Sequence, residues 1–524
     1  MRNISAVDSP LAARSGAVAW LKTPSGAVTA LILATFAARL MFAASLGLGI
    51  DESYMVAAGR KLQPSYFDHP PLAWWIAWGV AHLTGSENAV VVRLPFIALF
   101  PLTTFLMYRV SAVLFDPEAG LWAAVVLNLA PVLGITAGTW VLPDGPLFAA
   151  LLGFLFCLIV SLRSAGRAAW GWWMAAGASA GLALCSKYSA VLTLIGAAAF
   201  LLTEPVSRRW LTQPHPYVAG GLSLLIFSPV LVWNAKHGWV SFAFQGGRAG
   251  GRLHPLGPLL ALAGQAVFLL PWIWVPLLWC GIAAAWRGPS DRERWLLICL
   301  AAPPIVVFTA AALWGKTRFH WTAPGYLMLL PLLGEAIARH RGVSRLTRIW
   351  LAGTAIFVLL GLAFVGIEVR FDWLSSVAKR SGFSRDPNLE VVDWTSLRSE
   401  FERRGFLGRP GLVVAALKWH EAGKIDYALG GRIPVICLGP DPRQYGLTAN
   451  PDGYVGADVL IVAPRRSLAE IKSQFGGRFD AIEPTAPATV THAGRPAMEL
   501  PLFIGHRLHK SAEPKATRDP RNNP

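Results

Sequence analysis

Eleven stretches of the chain are apolar for about 20 residues each, the length a helix needs to cross the hydrocarbon core of a bilayer. They lie near residues 27–49, 90–114, 118–138, 145–162, 169–185, 188–203, 217–234, 256–285, 295–314, 322–338 and 349–368. Composition agrees, since 54% of the 524 residues are hydrophobic and only 15% charged, against roughly 25% charged in ordinary soluble domains. The net charge of +17 is spread between the apolar runs. A nucleic-acid binder would gather it into a stripe on a polar domain. The expected fold is mainly α, a polytopic membrane bundle of about 11 spans. Cys157, Cys185, Cys280, Cys299 and Cys437 show no CxxC spacing, and four of them lie inside apolar runs, so they give no disulfide framework or zinc site.

Arginine sets the expected sidedness. With Arg2, Arg14 and Lys22 cytoplasmic, every second loop is cytoplasmic too. Those loops carry Arg163 and Arg167, then Arg208 and Arg209, then Arg287, Arg292 and Arg294, then Arg339, Arg341, Arg345 and Arg348. This divides the chain into a cytoplasmic segment, 1–26, and a membrane domain with outer loops, 27–368. An odd number of spans puts the rest outside, which for a bacterial inner membrane is the periplasm. The first run is longer than a signal-peptide core and is interrupted by Arg39, so it reads as a retained span. Arg39 then needs an acid or a backbone carbonyl inside the bundle. Beyond residue 368 the apolar runs shorten to strand length. The pattern strand 411–416, helix through Trp419, Ala422 and Tyr427, strand 434–438, strand 458–462, helix 468–475 predicts a small periplasmic α/β domain over 369–510. Residues 511–524, charged and rich in Pro and Asn, are expected to be disordered.

The outer loops are poor in charge, so each charged residue there asks for a reason. Asp51-Glu52 follows the first span. Next comes Phe67-Asp68-His69-Pro70-Pro71, leading into a segment with Trp74, Trp75 and Trp78, which predicts a helix lying along the outer leaflet. Asp144 stands in Pro143-Asp144-Gly145-Pro146 at the entry to the fourth span, where an Asp often serves only as a helix cap. Lys187-Tyr188, the loop from Lys236 to Arg252, and Lys316-Thr317-Arg318-Phe319-His320-Trp321 place cations where the positive-inside rule disfavours them, and so are candidates for holding an anion.

In this order, Asp51-Glu52 with Tyr54, His69-Pro70-Pro71-Leu72, Pro143-Asp144-Gly145-Pro146-Leu147 and Lys187-Tyr188 resemble glycosyltransferase family 39, over about the first 340 residues. The resemblance implies a GT-C fold, a polyprenyl-phosphate-linked sugar donor, an outer-leaflet or periplasmic lipid, glycan or protein acceptor, and inversion at the anomeric carbon. It places Asp51 at the family's catalytic aspartate and Asp144 at its second functional acid. The aminoarabinose transferases of the family carry a Lys near the Pro-Pro element where this chain has Asp68-His69, so the donor sugar is not named by the motifs. Elementary chemistry asks for the same parts: a carboxylate to orient or deprotonate the acceptor, and separated cations to neutralise the leaving phosphate.

The candidate catalytic residues are therefore Asp51, Glu52 and Asp144. The candidate substrate-binding residues are Tyr54, His69, Lys187, Tyr188, Arg248, Arg252, Lys316, Arg318 and His320. No metal ligand is assigned and no cofactor is required, although the sequence leaves room for a divalent ion; nucleic acid is not a partner. The alternative reading, a transporter of lipid-linked sugars, would place its polar groups near the bilayer midplane, whereas here they gather at one face.

Overall fold

The computed structural model describes residues 19–248, 250–315, 317–340, 345–371, 392–492 and 495–511. Most of the N-terminal segment, Lys316 and the tail beyond Ser511 therefore lie outside the described residues.

Each apolar run folds as a helix or as a bent pair of helices. The first three helices are α1 (Pro24–Ala44), α2 (Ile50–Ala58) and α3 (Leu72–Thr84). Then follow α4 (Ala89–Leu114), α5 (Pro117–Leu129), α6 (Asp144–Arg163), α7 (Gly166–Ser186), α8 (Ala190–Thr203) and α9 (His215–Lys236). After these come α10 (Val240–Gly247), α11 (Gly257–Leu269), α12 (Pro271–Arg287), α13 (Arg292–Ala311), α14 (Ala323–His340) and α15 (Arg345–Phe371). Local chemistry fixes their starts. Thr23 caps α1 ahead of Pro24, and Asp116 caps α5 ahead of Pro117, each side chain accepting a first-turn N–H.

Among the described residues, six helices are long and apolar enough to cross a membrane on length and composition alone, or up to eight if each of two bent pairs is one span. The bends correct two expected spans. The 118–138 run breaks after α5 and turns by 81° into a short π-helical segment. The 256–285 run turns by 114° at Leu270, between α11 and α12, so it is not one straight crossing. Apolar side chains stand exposed on the outside of the bundle, Leu225, Trp279 and Leu360 among them, as lipid-facing positions must.

The loops that the arginine alternation assigns to one side do share one end of the bundle. Arg163 pairs with Glu293, Arg292 with Glu204, and Arg294 with Glu335. Arg39 finds carbonyls rather than an acid. It donates to the carbonyl of Gly134 at 3.0 Å and of Thr35 at 3.1 Å, and to Asn128 Oδ1 at 3.0 Å.

At the other end sits the α/β domain: α16 (Ser396–Arg403), β1 (Leu412–Ala416), α17 (Trp419–Leu429), β2 (Val435–Cys437), α18 (Gln444–Thr448), β3 (Asp458–Val462), α19 (Leu468–Phe475), β4 (Ala481–His492) and β5 (Arg495–His506). The sheet order is β2-β1-β3-β5-β4, with β1 parallel to β2 and β3 and the last two strands antiparallel. The parallel part matches the sequence pattern. The closing hairpin is additional to it.

This domain is docked on α2. A side chain at Gly423 would lie 2.6 Å from the Cα of Tyr54, so only glycine lets α17 approach α2 this closely. Beside it the buried Lys424 donates to the carbonyls of Leu48 and Val392. Arg60 bridges Glu87 at 2.7 Å and Asp426 at 2.5 Å.

Candidate active site

The pair Asp51-Glu52 opens α2, and one helical step separates their fates. Asp51 is exposed, while Glu52 is 3% exposed. Glu52 accepts from Gly49 N at 2.8 Å, from Arg93 Nε and Nη2 at 2.8 and 2.6 Å, and from Val141 N at 3.0 Å. Both its oxygens are engaged, which fits a residue that holds loop geometry rather than one that takes a proton. Its work is mechanical: it ties the start of α2, and Asp51 with it, to α4 and to the strap that leads into Asp144.

Asp144 does not cap a helix. It is the first residue of α6, 5% exposed, and both carboxylate oxygens accept from Lys187 Nζ, at 2.9 and 3.1 Å. An ammonium has three protons and this one gives two, leaving one for a ligand. Around the pair stand His69, His320, Arg248 and Arg318. His69 feels the charges of Asp68, Lys187, Arg248 and Asp144, and His320 those of Lys187, Asp144 and Arg318. Burial and the neighbouring Lys187 push both imidazoles down to about 4, so both are neutral at physiological pH. Burial, and then the nearby Arg443, also lowers the Arg248 guanidinium.

Neither Arg248 nor Arg318 makes an ion pair among the described residues, whereas Asp144 and Asp68 each have a cation of their own. Arg248 lies over the rings of Phe244 and Trp321, at 4.4 and 5.4 Å, and Arg318 is exposed. The cluster therefore has positive charge to spare beside neutral imidazoles, a setting that suits a phosphate group. Among the described residues, no three His, Cys, Asp or Glu side chains are grouped to hold a metal ion.

Three further expected substrate contacts fall elsewhere. Tyr54 is 2% exposed and packed between Trp74 and Trp419, its hydroxyl donating to Asp68 and accepting from the Gln444 N–H, so it belongs to the joint with the α/β domain. Tyr188 turns its ring onto Phe242 and Phe227. Arg252 is exposed. One residue was missed altogether. Arg443, from the turn before α18, reaches Asp68 at 3.0 Å and stacks on Trp419 at 3.7 Å. The signal available was Asp68 itself, an acid in an apolar outer loop that had to be paired.

The described residues thus form a helical bundle with a polar cluster at the end that carries a small α/β domain. A family model described as dolichyl-phosphate-mannose-protein mannosyltransferase matches residues 68–233, the stretch that contains His69, Asp144 and Lys187, in agreement with the motif resemblance to glycosyltransferase family 39. The chain is 22% identical over 284 residues to the lipid A galacturonosyltransferase RgtD of Rhizobium johnstonii, a match covering 53% of this chain and 58% of that protein. The fold is similar to ArnT from Cupriavidus metallidurans in its apo state, with a TM-score of 0.61 and 17% identity over 91% of this chain and 98% of that one. It is equally similar to the same protein bound to undecaprenyl phosphate, with a TM-score of 0.60 and 16% identity over 92% of this chain and 97% of that one.

Proposed function

We propose that the chain is an inverting glycosyltransferase of the bacterial inner membrane. It takes a sugar from a polyprenyl-phosphate donor and gives it to an outer-leaflet or periplasmic acceptor, with the N-terminus cytoplasmic and the α/β domain periplasmic. The observation that carries this is the buried Asp144–Lys187 pair, beside two neutral histidines and two arginines that have no acid of their own among the described residues. Lys187, Arg248 and Arg318 neutralise the leaving phosphate. Asp51 orients the acceptor hydroxyl and takes its proton as the oxygen attacks the anomeric carbon opposite the phosphate; the sugar–phosphate bond breaks and the lipid phosphate departs. Asp144 keeps Lys187 aimed.

RgtD is described as acting on lipid A, which supports an outer-leaflet glycolipid as acceptor and a uronic acid as one sugar to test. Transport is disfavoured because these charges collect at one end of the bundle. Mass spectrometry of lipids and envelope glycans from cells with and without the protein tests the reading. One sugar should vanish from an envelope glycolipid while its polyprenyl-phosphate form accumulates. Unchanged glycans would overturn it.

A further inference from the structure

The α/β domain is bonded directly to the first outer loop. Two adjacent residues of that domain hold two adjacent residues of the first outer loop, some 375 positions away in sequence. Arg443 Nη1 donates to Asp68 Oδ2 at 3.0 Å, and Phe67 N–H donates to Gln444 Oε1 at 2.9 Å. Gln444 N–H donates to the Tyr54 hydroxyl at 3.1 Å, and that hydroxyl faces the other Asp68 oxygen at 3.5 Å. On the membrane side, Gln245 donates to the Asp68 carbonyl and Ser241 to the Tyr66 carbonyl.

The next residue is His69, and its Nδ1 has no hydrogen-bond partner. Among the described residues, nothing holds the imidazole at Nδ1. Its place is set by what flanks it: Asp68 on one side and the stiff Pro70-Pro71 on the other. Arg443 carries a φ of +46°, a conformation that costs a non-glycine residue and persists only where surroundings impose it. Its guanidinium lies at 3.7 Å over Trp419 and 5.2 Å from Phe244, the ring that Arg248 also covers.

We propose that Arg443 and Gln444 are positioning residues of the transfer site: by holding Phe67 and Asp68 they set His69, and with it the pocket wall beside Asp144–Lys187. The inference rests on the glycosyltransferase reading. It makes the site incomplete without the α/β domain.

The test uses the purified full chain in lipid nanodiscs. Arg443→Ala is compared with Arg443→Lys, which keeps a charge for Asp68, and with Arg60→Ala, which weakens the same domain joint away from the pocket. Displacing a group by about 1 Å can cost about 100-fold in rate. Arg443→Ala should therefore lower kcat by at least about tenfold while the donor KM moves by less than about threefold. Arg443→Lys should recover part of the loss, and Arg60→Ala should keep kcat within about twofold. Equal kcat losses in Arg443→Ala and Arg60→Ala would reduce Arg443 to a stability contact and overturn the proposal.

A second readout needs no activity. The labelling rate of the thiol in His69→Cys, measured against the background of the native cysteines, should change severalfold when Arg443→Ala is added; an unchanged rate overturns the positioning role. Absence of transfer by the wild-type protein, with a changed labelling rate, would instead sink the functional reading alone.

Discussion

Replacing Lys187 by Met strands a carboxylate. Asp144 and Lys187 have side chains only 8% and 11% exposed, and each Asp144 oxygen accepts from the same ammonium. Removing one partner of a buried pair leaves an uncompensated charge and costs about 3–5 kcal/mol, whereas removing both charges together is often close to neutral. The singles Lys187→Met and Asp144→Asn should each lower the unfolding free energy by about that amount, and the double variant should cost less than either single. The coupling would then be several kcal/mol, well above the roughly 0.3–0.5 kcal/mol that separates independent sites from interacting ones. Unfolding of purified protein by titration with a denaturing detergent measures it. All three variants should also lose transfer, because even the stable double lacks the ammonium that meets phosphate. Additive destabilisation would refute the pair as a coupled unit, and an active double variant would refute the role of Lys187.

Glu52→Gln removes the charge opposite Arg93, whose side chain is fully buried, and should cost about 3–5 kcal/mol; a wild-type melting temperature would contradict the mechanical role. Gly423→Ala forces a methyl to 2.6 Å from the Tyr54 backbone and should loosen the domain joint by about 1–3 kcal/mol, read as faster tryptic release of the C-terminal domain. His69 and His320 titrate near 4 when folded, against 6.5 when free. Their folded pKa values are depressed, so the unfolded chain binds more protons between these limits. The stability they contribute is complete above about 6.5 and is lost as pH falls toward 4, which melting curves over that range check. Substituting both by Gln should flatten the slope.

The spans were legible because about 20 apolar residues leave a chain few alternatives, but their bends were not. At Leu270 the helix breaks inside an unbroken apolar run, and only Pro271 hints at it. Strands β4 and β5 escaped for the opposite reason: Pro484 and Pro487 argue against a strand. Proline is tolerated there because β4 is the sheet's edge, and the register shifts between Thr485 and Ala488. At the site, Lys187 and His320 were found from cations placed against the topology rule, Asp144 from an acid in a charge-poor outer loop, and His69 from the His69-Pro70-Pro71 element. The different settings of Asp51 and Glu52 were not legible because the sequence shows two adjacent acids, whereas on a helix one step turns the side chain by about 100°, here from solvent into the Arg93 cage. Arg443 could not be matched to Asp68 from sequence, since only the fold closes so long an interval.

The central claim is tested most directly by single-turnover transfer with purified protein, undecaprenyl-phosphate-linked sugars and a lipid A acceptor, comparing wild type with Asp51→Asn. Loss of a positioned base removes about 100- to 10,000-fold in rate. The wild type should release undecaprenyl phosphate and an inverted glycoside in equal amounts, while the variant binds donor but transfers at least about 100-fold more slowly. Transfer by Asp51→Asn at the wild-type rate, or retention of the anomeric configuration, would contradict the account.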